Sequence, residues 1–249
     1  MIPDLIAHRL TGVAKCERTN ASTTQLYDPV KKDWSRTLFK ALGLSLDVAP
    51  ELVEPGATLG VILPEIVEKT GLSSETKVVT VGSHDTASAV AAVPAEPSSN
   101  FAYLSSGTWS LLGVEIDEPI ITQLAREYNF TNEVGVFDTI RLLKNINGLW
   151  LVQECRRVWK EEGNDWGYFD LAKMAAGAER LQSFIDPDDP RFAGRCDMPA
   201  EIAEYCRETG QIVPEGPAQI LRLVTDSLAL KVRFVLDRLE KLIDRPIDI

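Results

Sequence analysis

The chain has 249 residues, 45% of them hydrophobic and 25% charged, with a formal net charge of −11. That length suits one large domain or two smaller ones with buried cores, and an acidic excess of this size argues against nonspecific binding to nucleic acid or an anionic membrane. Four scattered cysteines without CxxC spacing and only two histidines argue against a Cys/His zinc site and read as free thiols of a reducing compartment.

From the start, Met1 to Leu10 is too interrupted for a signal peptide. No run reaches the roughly 18 apolar residues of a membrane span. The expected location is the cytoplasm, so Asn20-Ala21-Ser22 and Asn129-Phe130-Thr131 are chance matches to the glycosylation pattern. Residues 1–70 read as mixed and loop-rich. Trp34, Leu38, Phe39 and Leu42 predict a helix over Asp33 to Leu42 that stops at Gly43. Glu54-Pro55-Gly56 marks a turn. A short helix over Leu63 to Thr70 has Pro64 in its first turn and Gly71 just past its end.

Lys77 to Val81 is a β-branched run and predicts a buried strand. Gly82-Ser83-His84 breaks it, and Asp85 to Val93 reads as a helix of small residues ended by Pro94. Pro94 to Asn100 is the best linker candidate. Phe101 to Ser105 and Trp109 to Val114 predict a hairpin turning at Ser106-Gly107-Thr108. Lys144 to Glu161 reads as a helix with Leu151, Cys155 and Val158 on one stripe and Arg156, Arg157 and Lys160 opposite. Residues 183–216 read as loop. Pro217 to Ile243 carries the longest helical period, and Arg245 to Ile249 begins something strand-like. A domain seldom ends on the first residues of a strand, so the chain is expected to be truncated.

Three polar clusters stand out. In Gly82-Ser83-His84-Asp85-Thr86 a strand delivers a carboxylate to the start of a helix, where ligands of α/β sheets bind. A helix start favours the ionised form that a base requires, and His84 and Thr86 flank it with donors for hydroxyl groups. In Ser105-Ser106-Gly107-Thr108 small residues and hydroxyls suit a phosphate. In Lys144-Asn145-Ile146-Asn147-Gly148-Leu149-Trp150, Asn145 stands at a helix start with Gln153 two turns on. Each also has an ordinary reading: Asp85 as a helix cap, Gly107-Thr108 as a plain hairpin turn, and Asn145 as a cap with Trp150 in the core. No Walker, dinucleotide-binding or nucleophile-elbow motif is present.

Taken together, Thr19 to Leu26, Gly82 to Val90, Tyr103 to Ser110, Leu143 to Leu151 and Cys206 to Thr209 resemble the FGGY carbohydrate kinases, in the family's order and across most of the chain. The resemblance implies an α/β, ribonuclease H-like, two-domain sugar kinase of the actin and hexokinase type, incomplete here. Residues 1–96 would be the C-terminal part of the sugar-binding first domain and residues 97–249 the N-terminal part of the ATP-binding second domain, with the cleft between them. It also implies Asp85 as proton acceptor, with His84, Asp85, Thr86 and Asn145 on the sugar, Thr108, Gly107 and Gln153 on ATP, and no metal ligand among these residues. ATP with Mg2+ and a sugar are the implied partners, in a monomer or homodimer. The family's N-terminal phosphate hairpin is not found. The chain stops before the Gly-Gly-Gly turn that cradles adenosine, so alone it is expected to have little kinase activity. Asn147 stands where the pattern leads one to expect an apolar residue. The competing readings are a kinase acting on a different sugar of this family and a non-catalytic sugar- or nucleotide-binding piece.

Overall fold

The computed structural model describes residues 1–96 and 99–248. Pro97 and Ser98 of the expected linker, and with them the expected boundary at 96/97, lie outside the described residues, as does Ile249. The chain divides into two compact units: Met1–Tyr103, Gly113–Leu143 and Asp248 in the first, Leu104–Leu112 and Lys144–Ile247 in the second.

In the first unit, α1 (Ile2–Thr11) has Pro3 in its first turn and stops at Gly12, where φ is 73°, a conformation that glycine adopts without strain. β1 (Lys15–Glu17) runs into the single turn α2 (Arg18–Ala21) and a tighter turn over Ser22–Thr24. β2 (Tyr27–Asp28) and β3 (Asp33–Trp34) form an antiparallel pair, and Ser35 caps α3 (Arg36–Ala41). The helix expected from Asp33 is therefore shorter, because Ser35 fixes its start. β4 (Glu51–Val53) lies parallel to β1 in the register Lys15 to Glu51, and β5 (Thr58–Val61) precedes α4 (Pro64–Thr70), which ends at Gly71 as its sequence predicts.

β6 (Lys77–Val79) pairs antiparallel with β5 in a two-stranded sheet. Val79 and Val81 are exposed, so this run is not the buried strand its β-branched residues predict. With only β5 beside it, it leaves a face uncovered. α5 (Asp85–Ala91) follows. β7 (Tyr103–Ser106) and β8 (Trp109–Ile116) form the expected hairpin, and after α6 (Gln123–Glu127) come β9 (Thr131–Val134) and β10 (Ile140–Asn147), giving a sheet of order β7-β8-β10-β9. β10 overturns the helix expected from Lys144: Ile140, Leu142, Leu143 and Ile146 are all buried, as a central strand requires.

The second unit is built on helices. α7 (Trp150–Glu161) buries Leu151, Cys155 and Val158, the predicted stripe, and α8 (Tyr168–Gly177) follows. The stretch expected to be loop contains α9 (Met198–Glu208), which Asp197 caps by accepting from the Ala200 N–H at 3.1 Å. α10 (Gly216–Ile243) matches its long period. Leu151, Cys155, Leu171, Phe192, Met198, Ile202, Cys206, Leu221 and Val224 make one core. Residues 245–248 form no strand; the Asp248 N–H instead donates to the Asn100 carbonyl at 2.9 Å. All four cysteines are free thiols; Cys16, Cys155 and Cys206 are buried and Cys196 is half-buried.

Candidate functional site

The Gly82-to-Thr86 turn belongs to the first unit and is held by a residue that local pattern does not single out. Glu17, at the end of β1, is 2% exposed. Its Oε1 accepts from the Thr19 N–H at 2.8 Å; its Oε2 accepts from the Thr19 hydroxyl at 2.5 Å and the Asn20 N–H at 3.3 Å. The same Oε2 reaches across the chain to the Ser83 N–H at 2.9 Å and the Ser83 hydroxyl at 2.7 Å. The Thr19 hydroxyl oxygen in turn accepts from the His84 N–H at 3.3 Å. One carboxylate thus ties α2 to the turn that carries Asp85. Gly82 permits the close packing, since a Cβ there would lie 2.8 Å from Val136 and 2.9 Å from the Ser88 hydroxyl.

Asp85 is the first residue of α5, and the cap position belongs to His84, whose side chain makes no cap hydrogen bond. Asp85 therefore stands one residue past the cap position, in the first turn of α5. The side chain is fully exposed, and Oδ1 accepts from the Thr86 N–H at 2.7 Å and more weakly from the Thr86 hydroxyl at 3.4 Å. Thr86 is buried. The His84 ring lies 4.0 Å from Asp85 through Nδ1 and 4.0 Å from Glu133 through Nε2. Glu133 is itself held by Arg141 at 3.0 Å. Burial, and then the Arg141 charge, push the His84 pKa below its ordinary value against the opposing pull of Glu133, Asp85 and Glu17.

In the second unit Thr108 and Gln153 meet. The Gln153 amide donates to the Thr108 hydroxyl at 3.1 Å, and the Thr108 hydroxyl is 3.3 Å from the Gln153 carbonyl. Gly148 makes this possible: a Cβ there would fall 2.7 Å from the Gly107 carbonyl, 2.6 Å from the Ser110 hydroxyl and 2.9 Å from its N–H. The hairpin tip and the start of α7 are further joined by the Leu149 N–H on the Gly107 carbonyl at 2.9 Å. Gln153 also borders a largely apolar cavity of about 420 Å³ lined by Leu149, Val152, Tyr168, Leu171 and Leu221. Asn145 lies in β10 with an exposed side chain, not at a helix start. The Asn147 N–H donates to Asp188 at 2.8 Å, and the Asn147 amide donates to the Phe192 carbonyl at 3.3 Å. That second contact gives a polar residue a use where an apolar one is expected.

The sequence profile described as "FGGY family of carbohydrate kinases, C-terminal domain" matches residues 102–249, and the family's N-terminal domain matches residues 1–92. The chain belongs to the FGGY family of carbohydrate kinases. It is 48% identical over 247 residues to a rhamnulokinase of Bacteroides thetaiotaomicron, covering 99% of this chain and 50% of that protein. It is 43% identical over 242 residues to a rhamnulokinase of Enterococcus faecalis, covering 97% and 48%. The chain thus spans about half the length of the curated relatives it matches. Among solved structures, the xylulose kinase of Rhodospirillum rubrum superposes with a TM-score of 0.66 at 16% identity, over 98% of this chain and 48% of that one. The glycerol kinase of Plasmodium falciparum, solved with ADP, gives 0.67 at 15% identity, over 99% and 48%. These likenesses and the family matches together agree with the α/β fold of the actin and hexokinase type that the family resemblance implies.

Among the described residues, no group of three or more His, Cys, Asp or Glu gathers so as to hold a metal ion. Among the described residues, no helix is long and apolar enough to cross a membrane. Glu17, Glu133 and Arg141 carry no local signal in the sequence. Glu17 lies 66 residues from Ser83, and Arg141 is one of several polar residues in β10, with Lys144, Asn145 and Asn147.

Proposed function

We propose that this chain carries the proton acceptor and part of the ATP site of a kinase that transfers the γ-phosphoryl group of ATP to the 1-hydroxyl of L-rhamnulose. The observation that carries the reading is Asp85: a fully exposed carboxylate on a turn clamped from behind by buried Glu17. A carboxylate fixed in place yet open to solvent suits the removal of a hydroxyl proton as that oxygen attacks phosphorus. Phosphoryl transfer depends on such positioning more than on covalent help. His84, Thr86 and Asn145 are assigned to the sugar, and Thr108, Gly107 and Gln153 to ATP. The Thr108–Gln153 pair offers hydroxyl and amide groups at a tight backbone turn, and the apolar cavity beside Gln153 suits a planar base. Residues 1–96 are assigned to the sugar-binding domain and 97–249 to the ATP-binding domain, in keeping with the family matches. L-Rhamnulose is favoured because the similar curated relatives are rhamnulokinases.

The test joins this chain to the remaining half of the Bacteroides thetaiotaomicron rhamnulokinase and follows ADP release with L-rhamnulose, L-fuculose and D-xylulose. L-Rhamnulose should be preferred. Asp85→Asn should lower kcat by about 10²–10⁴-fold, the usual contribution of a positioned base, with KM for the sugar little changed. Turnover near that of the unsubstituted chimera would remove Asp85 from the role, and preference for a different sugar would correct the substrate.

A further inference from the structure

The His84 ring lies between two carboxylates of different character. Asp85 is fully exposed, whereas Glu133 is buried and receives a 3.0 Å hydrogen bond from Arg141, whose side chain is 0% exposed. Both ring nitrogens face a carboxylate, which when ionised can only accept; Glu133 is the buried one, fixed by Arg141, so we assign the hydrogen to the Nε2 edge facing it. The opposite atom, Nδ1, is buried and has no hydrogen-bond partner among the described residues. Buried polar atoms without partners are uncommon enough to require a reason.

The charged groups facing the ring are Arg141 of β10, Glu133 of β9, Asp85 of α5 and Glu17 of β1. Burial and Arg141 oppose a charge on the ring, and the three carboxylates favour one; the net effect lowers the His84 pKa. A neutral ring with its hydrogen at Nε2 leaves a lone pair at Nδ1, 4.0 Å from Asp85 Oδ1.

We propose that His84 relays the substrate proton: Glu133, held by Arg141, positions the ring with its N–H at Nε2, and Nδ1 takes over the proton that Asp85 has collected. This rests on the reading of Asp85 as proton acceptor. As the sugar oxygen bonds to phosphorus, its O–H bond breaks and the proton goes to Asp85 Oδ1. That new O–H bond then breaks as an N–H bond forms at Nδ1. Asp85 is restored as a carboxylate, and His84 becomes an imidazolium between two carboxylates, losing its extra proton to water after the product leaves. Both 4.0 Å separations exceed a hydrogen bond, and catalytic contacts of this kind commonly tighten only in the substrate complex. Glu133 and Arg141 are positioning residues, acting through the ring.

The chain's second histidine, His8, is exposed on α1, so long-range ¹H–¹⁵N spectra of the histidine-labelled chain contain two ring systems, and His8→Gln assigns them. At pH 7.5 His84 should be neutral with its hydrogen at Nε2, its midpoint below the ordinary histidine value. Glu133→Gln keeps an acceptor for Arg141 but removes the charge, and should lower the His84 midpoint by about one unit or more, one unit being the scale of a charge at roughly 4 Å in water and burial strengthening it. Asp85→Asn should lower it in the same direction. A hydrogen at Nδ1, or a charged ring at pH 7.5, in the unsubstituted chain would overturn the relay without any variant. An unmoved midpoint in Asp85→Asn would overturn the coupling to Asp85, and one in Glu133→Gln would remove Glu133 as the positioning residue. If Glu133→Gln does not fold, the unsubstituted chain and Asp85→Asn still decide. None of these readings uses turnover, so a failed relay is distinguishable from a failed assignment of Asp85, which the chimera's turnover reports.

Discussion

Replacing Glu17 tests whether one buried carboxylate holds the Asp85 turn. In Glu17→Gln the amide oxygen takes the more crowded position of Oε2, keeping acceptors for Thr19, Asn20 and Ser83. Its NH2 then faces the Thr19 N–H that Oε1 accepted at 2.8 Å, donor against donor. One buried unsatisfied donor costs about 1–3 kcal/mol, and the remaining bonds weaken on losing the charge; because these bonds share one group they do not add. The expected loss is about 2–4 kcal/mol. Glu17→Ala strips every acceptor at once and should exceed about 4 kcal/mol, the range kept for broken buried networks. Hydrogen exchange by mass spectrometry reads this locally, with deprotection expected in peptides over 15–24 and 80–91 and little change over α7 to α10. A Glu17→Ala chain within about 0.5 kcal/mol of the original, the range of ordinary surface changes, would refute the clamp. So would a Glu17→Gln chain less stable than Glu17→Ala.

Gly148→Ala places a methyl against the Gly107 carbonyl and Ser110; overpacking of this kind costs about 1–3 kcal/mol, read as a fall in Tm of about 2–4 °C per kcal/mol. Thr108→Val removes an exposed hydroxyl and should leave stability within about 0.5 kcal/mol while raising the chimera's KM for ATP; an unchanged KM would separate Thr108 from the nucleotide. Asp226 has burial pushing its pKa up, but the Arg222 ion pair and the Leu181 N–H outweigh it and hold the group below the ordinary range. A lowered folded pKa stabilises above the unfolded value of about 3.9 and is lost as pH falls through the folded one. The second unit should therefore weaken below about pH 4. Asp226→Asn should flatten that dependence in urea unfolding followed by tryptophan fluorescence, and cost about 3 kcal/mol at pH 7.

The elements legible in the sequence are those whose signals are local. Gly71 and Pro64 bracket α4, leucines and valines at three and four mark α10, and Gly107 marks the β7–β8 turn. β10 escapes because it passes into α7 with only Gly148 and Leu149 between them, so two periods merge into one apparent helix. α9 escaped although Asp197 and Pro199 announce a helix start, because prolines and aspartates around residues 186–190 also announce loops. The polar residues at the two sites are marked by the family resemblance alone, since each local pattern has an ordinary structural reading. Glu17 and Glu133 give no sign in the sequence, because their meaning lies in Ser83 and His84, distant in sequence and adjacent only after folding.

The thiols described with the fold have a practical consequence. Burial makes all four less acidic than an ordinary cysteine, Cys16 being pushed up to about 12, so alkylating reagents work slowly near neutral pH. Cys196 alone keeps appreciable open surface among them, and a maleimide dye or spin label meets it first. Its carbonyl is the one that Arg157 of α7 grips at 2.7 Å. A probe there, attached without engineering away the other cysteines, would report when the segment leading into α9 loosens from α7.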